Sequence, residues 1–117
     1  MAGRRLEILH VGSASRDIAH GDPRGWRLGG GVTYAALTTA RLGLRTAALI
    51  GADAAAAAAR ELDQLRAAGV QLQVVELAES PVFDNVDTPE GRVQTCLAPG
   101  VPLPVVDVPD AWRDARA

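Results

Sequence analysis

Three consecutive glycines, Gly29, Gly30 and Gly31, stand directly before an apolar stretch over residues 32–42 that stops at Gly43. Glycine lacks a Cβ, so the chain there can take positive φ and let a ligand approach the backbone closely. The unpaired N–H groups at the start of the helix that follows suit hydroxyls, carboxylates or phosphates. The same residues also describe a tight turn that lets a helix pack close to a sheet. A dinucleotide cradle is the weaker reading, because G-x-G-x-x-G would have to follow the first strand at once, and Gly12 is followed by Ser-Ala-Ser-Arg-Asp.

Other chemistries are limited by the side chains available. All 12 basic residues are arginine, which removes any P-loop or Schiff-base lysine. Cys96 is the single cysteine, so an internal disulfide framework and a multi-cysteine zinc site are excluded. A reducing cytoplasm fits, and the thiol is expected to pack as a small buried hydrophobe. His10 lies in an apolar segment and His20 in a loop, neither with a carboxylate or thiol at metal-ligand spacing. Asp53 precedes an alanine run and reads as a helix N-cap, its carboxylate accepting an unpaired N–H at the positive end of the dipole.

The elements that position the glycines follow from hydrophobic periodicity. Residues 6–13 predict a largely buried first strand, and residues 14–28 a loop carrying short extended pieces. The glycines open the first helix, Gly43 closes it, and residues 45–51 form a second strand. Residues 54–68 are strong helix formers with Ala58, Leu62 and Leu65 as an apolar stripe, and residues 70–77 give a third strand. Strand, helix, strand, helix, strand with short connections predicts right-handed βαβ units around a mainly parallel sheet. Residues 81–88 and 92–97 then flank Pro89-Glu90-Gly91 and predict a β-hairpin. A connector with four prolines follows over residues 99–109, and residues 110–117 are expected to begin another helix.

A length of 117 residues allows one modest domain, or part of one. The apolar fraction of 48% is largely alanine and aromatics supply 3%, so the core is thin per residue. A formal charge of −2, with no basic cluster larger than Arg4-Arg5, argues against nucleic acid and anionic membrane as partners. The apolar run behind those arginines covers only residues 8–11, too short for a signal peptide or a membrane span.

The ordered segments VGSASRD (11–17), GGGVTYAALTTARLG (29–43), RTAALIGAD (45–53) and ELDQLRAAGV (61–70) together resemble the N-terminal half of PfkB/ribokinase-family carbohydrate kinases. Their most specific part is a glycine pair followed by a helix ending in Ala40-Arg41-Leu42-Gly43. The resemblance implies an α/β fold: part of a ribokinase-like three-layer arrangement, with a mainly parallel central sheet, helices on both faces, and a small β lid that includes hairpin 81–97. It implies that Asp17 binds sugar hydroxyls, a role suited to a carboxylate that can accept from two neighbouring hydroxyls at once. It also implies that Gly30, Gly31 and Tyr34 line the acceptor pocket. The family often has Lys or Asn where Gly31 stands and Asn where Tyr34 stands, and these departures leave the acceptor open between sugars and nucleosides.

The ATP and Mg sites of such kinases, and the Gly-Ala-Gly-Asp motif carrying their catalytic base, belong to the second half. No segment here matches them; Gly51-Ala52-Asp53 lacks the second glycine and lies in the first half. Phosphoryl transfer depends on positioning and charge stabilisation around the γ-phosphate, so the chain alone is expected to be catalytically incomplete. The resemblance divides it into residues 1–109, a kinase N-terminal portion with its lid hairpin, and residues 110–117, the start of a truncated helix. Two functions follow as expectations. One is the acceptor-binding part of an ATP-dependent sugar or nucleoside kinase; the other is a non-catalytic module that binds or dimerises through the exposed edge of its lid. Phe83, Asn85, Arg92 and Gln94 alternate along the hairpin, and substrate cover and cross-strand pairing explain them equally well.

Overall fold

The computed structural model describes residues 5–104 and 107–117; Arg4 and the middle of the proline-rich connector, residues 105–106, lie outside the described residues. In chain order the elements are β1 (Ile8–Ser13), β2 (Ser15–Ile18), β3 (Trp26–Gly29), α1 (Gly31–Arg41), β4 (Thr46–Ala52), α2 (Ala54–Ala57), α3 (Arg60–Ala67), β5 (Gln71–Glu76), β6 (Val82–Thr88) and β7 (Gly91–Ala98), followed by a 3-10 turn over Asp110–Trp112.

Strands β1, β4 and β5 form a parallel sheet in the order β1-β4-β5. β4 is its middle strand and all seven of its residues are buried, so its sequence TAALIGA is a continuous run of small and apolar residues rather than an alternation. Ala48, Ile50 and Ala52 face Val32 and Ala36 of α1 and Leu62 and Leu65 of α3. Ala47 and Leu49 point the other way, where Leu6 and Trp112 cover them. The α/β architecture expected from the sequence is therefore present, with α1 and α3 on one face of the sheet and the 3-10 turn on the other.

The second sheet has the order β3-β2-β6-β7. The hairpin of β6 and β7 is as expected, closing between Thr88 and Gly91. The segment expected to be a loop with extended pieces is instead a β2–β3 hairpin, and β2 also pairs parallel with β6. Strands as short as SRDI and WRLG carry no readable periodicity. They are stabilised by pairing with a segment far along the chain.

Three further differences have local causes. The helix expected over residues 54–68 is divided, because Ala59 is extended at φ −69° and ψ 139°. Helix propensity is uniform along an alanine run and cannot place such a break; packing does, since Ala56 and Ala59 both bury against the sheet. Residues 110–117 make only the 3-10 turn, whose Trp112 is buried, before Ala117 accepts from the Leu9 N–H at 2.7 Å. Cys96, expected to be buried, is exposed on β7, an edge strand of the second sheet.

Candidate functional site at the junction of two sheets

A single residue, the fully buried Ala14, separates β1 from β2, so the chain passes from one sheet to the other within one step. β3 returns to that point, with Gly29 opposite Ser15. The glycines therefore sit where the two sheets and α1 meet. Gly30 has φ +100°, and a Cβ built on it would lie 2.6 Å from the Ser13 carbonyl oxygen, so both conformation and space demand glycine.

Helix α1 begins at Gly31 with no side-chain cap and no acidic residue in its first turn. The Thr33 and Tyr34 N–H groups turn back to the Gly30 carbonyl at 3.1 and 3.4 Å. The positive end of the helix is thus not answered by a local carboxylate. Nothing lies within 4 Å of a Cβ placed on Gly31, so its backbone is approachable.

Asp17 projects from β2 beside this turn. Its Oδ1 accepts from Ser15 Oγ at 2.7 Å. Its Oδ2 lies over the bare α-carbon of Gly29, where a Cβ would come within 2.0 Å. Asp17 and the glycines are therefore brought together, with Ser15 and Gly29 as partners that sequence reasoning did not assign. The signal for Ser15 was its two-residue spacing from Asp17, which puts both side chains on one face of a strand. Tyr34 stands on the first turn of α1, but 62% of it is exposed.

Register extends the Asp17 face into the hairpin. Asp17 is opposite Phe83, and Phe83, Asn85 and Asp87 alternate along β6 opposite Cys96, Gln94 and Arg92 on β7. The hairpin residues singled out from the sequence share that face. Asp87 and Arg92 form an exposed ion pair at 3.1 Å, while Asn85 Oδ1 is buried and has no hydrogen-bond partner among the described residues. On the other face Val86 pairs across the strands with Val93, and the two are 50% and 53% exposed.

Asp53 braces the junction from the core side. It caps α2 by accepting from the Ala56 N–H at 2.9 Å, as expected from the sequence. It also accepts from Arg16 Nε at 3.0 Å and from the Ser80 N–H at 3.3 Å, while its own N–H donates to Ser80 Oγ at 2.8 Å. Burial alone would raise its pKa, but these donors together outweigh it and hold the group below its ordinary value. One carboxylate thus ties β2, the end of β4 and the entry to β6. Among the described residues no group of three or more His, Cys, Asp or Glu is gathered as a metal site would need.

No family model and no curated protein matches the chain. Solved structures do. A pyrophosphate-dependent kinase in the ribokinase family, complexed with a pyrophosphate analogue and myo-inositol, aligns over 82% of this chain and 33% of its own, with TM-score 0.61 and 18% identity. A sulfate complex of a pyrophosphate-dependent kinase in the same family aligns over 85% and 36%, with TM-score 0.61 and 20% identity. A PfkB protein from a Polaromonas species aligns over 90% and 42%, with TM-score 0.56 and 21% identity. The chain spans 33–42% of the length of these structures. At such identities the likeness is one of fold, and the fold is that of part of a PfkB/ribokinase-like kinase.

Proposed function

We propose that this chain is the N-terminal, acceptor-binding portion of a ribokinase-like kinase, and that the acceptor is a polyhydroxylated small molecule: a sugar, a nucleoside or, as in one similar structure, a cyclitol such as myo-inositol. The observation that carries this reading is the Asp17 carboxylate, held by Ser15 over Gly29 beside the uncapped start of α1. A vicinal diol needs acceptors for its protons and donors for its oxygens. The carboxylate supplies the first through charge-assisted bonds, and the Gly31 and Val32 N–H groups, which precede the two turned back to Gly30, supply the second. Gly30 and Gly31 let the backbone approach, and Tyr34 stands at the rim.

ATP and Mg, which the resemblance implies, would supply the phosphoryl group and neutralise its charge. The residues here do not fit them: there is no lysine and no Gly-Ala-Gly-Asp segment, so no transfer step is assigned to this chain. On this reading residues 1–109 bind the acceptor and carry lid strands, and transfer requires the rest of the kinase fold. A cytoplasmic protein without nucleic-acid or membrane partners belongs to the same proposal. Its charge is −2, and no helix among the described residues is long and apolar enough to cross a membrane.

Titration of the chain with D-ribose, adenosine and myo-inositol, followed by amide NMR, tests the reading. Saturable shifts at Gly30 and Gly31 that vanish in Asp17→Asn are expected; no saturable shift with any of the three would overturn it. Expression of the longest open reading frame containing this segment, assayed for phosphoryl transfer from ATP and from pyrophosphate, then tests the whole-kinase part. A second reading, a module that dimerises through the lid, is favoured by the half-exposed Val86–Val93 pair and the open edge of β7.

A further inference from the structure

We propose that Glu61 is a positioning residue for this site: from helix α3 it sets the position of β3, hence of Gly29 and of the Asp17 carboxylate that rests on it. The inference rests on the acceptor reading above and adds to it a residue far from the glycines in sequence.

β3 is an edge strand of its sheet, so the N–H groups on its outer side need partners from elsewhere. Leu28, the residue before Gly29, has such a group, and it donates to Glu61 Oε2 at 2.7 Å. Glu61 stands next to Leu62, which is fully buried against the parallel sheet, so its carboxylate is referenced to the core. On the other side of Gly29, its carbonyl accepts from Thr33 Oγ1 at 3.0 Å. The turn is thereby held from α3 before it and from α1 after it.

Glu61 is itself oriented. Arg24 donates from Nη1 to Oε1 at 2.8 Å and from Nη2 to Oε2 at 3.0 Å, a two-pronged pairing that fixes the carboxylate plane. Arg24 is fixed in turn: its Nε and Nη2 reach the two oxygens of Asp22 at 3.1 Å each, and its guanidinium lies 4.5 Å from the centre of the Trp26 ring. Arg60 also donates to Asp22, at 3.1 Å. The Arg24 bonds hold the Glu61 pKa down to about 2 against the opposing effect of burial, with the Leu28 N–H assisting. Partly buried ion networks add little net stability, and their best-attested use is to select one geometry. The geometry selected here holds Leu28 in place two residues before Gly30, whose φ of +100° glycine takes readily.

Two substitutions separate positioning from stability. Glu61→Ala removes the acceptor for Leu28, whereas Glu61→Gln keeps one side-chain oxygen for the Leu28 N–H and loses the charge and one prong of the Arg24 pairing. The amide resonances of Gly29, Gly30 and Gly31, without ligand, are expected to move in Glu61→Ala and to return towards wild type in Glu61→Gln. Affinity for D-ribose, adenosine and myo-inositol is expected to fall at least about tenfold in Glu61→Ala and to stay within roughly threefold of wild type in Glu61→Gln. If Glu61→Ala does not fold, Glu61→Asp, which withdraws the carboxylate by one methylene, carries the same expectation. Wild-type affinity in the folded Ala or Asp variant, or equal losses in Ala and Gln, would overturn the positioning role alone. A wild-type chain that binds none of the three would overturn the acceptor reading and this inference together.

Discussion

The Asp17 carboxylate and the Gly29 α-carbon share one space: a Cβ on Gly29 would lie 2.0 Å from Asp17 Oδ2 and 2.8 Å from its Cγ. The obstacle is a side chain that can rotate away, so Gly29→Ala is expected to fold with a loss of no more than about 1–2 kcal/mol. The carboxylate would leave its place beside Ser15, and acceptor affinity should fall to the level of Asp17→Asn. Paired urea unfolding and ligand titration check both halves of this expectation.

Gly30→Ala is expected to behave differently. Its φ of +100° disfavours any side chain, and the atom 2.6 Å from the new Cβ is the Ser13 backbone oxygen, which cannot swing aside. Strain of this kind costs about 1–3 kcal/mol before the overlap is counted. The urea midpoint should therefore drop further than for Gly29→Ala; an equal drop would show that the junction relaxes.

Asp53→Ala should destabilise by about 1–2 kcal/mol through loss of the α2 cap, and more if the Arg16 and Ser80 donors are left unanswered. Asp53→Asn keeps a capping oxygen and should recover part of the loss. Thermal unfolding of the two variants gives the split between cap and ion pair.

Stability should fall in two stages as the medium is acidified. Burial lowers the pKa of His10, which meets Thr39 Oγ1 at 2.9 Å, so below the ordinary value of 6.5 the unfolded chain takes up the proton first and the folded state loses ground. Glu61 is held at about 2 against an ordinary 4.5, so its contribution is complete above 4.5 and disappears as the pH falls towards 2. Asp22, lowered chiefly by its side-chain bond with Arg24, acts in the same direction. Urea unfolding at a series of pH values is expected to show both stages, with Glu61→Gln shrinking the second and His10→Gln the first.

The lid module reading predicts association through its outer face. Sedimentation of the chain over a range of concentrations is expected to show a dimer, and Val93→Asp, which places a charge opposite Val86, to return it to monomers. Because the substituted residue faces away from Asp17, acceptor titration should be unaffected.

What the sequence by itself determined is the local grammar. The buried run of β4, the apolar stretch of α1, the Asp53 cap, the Pro89-Glu90-Gly91 turn and the glycine block are each specified by neighbours a few residues apart, and each is where periodicity or turn chemistry placed it. The order of those elements and their motifs was enough to point to a ribokinase-like fold. Tertiary structure decided the rest. β2 and β3 are too short to signal themselves and exist through pairing with each other and with β6. The break at Ala59 follows from which alanines meet the sheet. Cys96 is exposed because β7 forms an edge. The proposed site has the same character: Asp17 and the glycines could be singled out from the sequence, but Ser15 and Gly29 gain their proposed roles only when β2 and β3 lie side by side, and Glu61 only when α3 packs behind them. Distances between residues remote in sequence are set by packing, and packing depends on the whole chain at once.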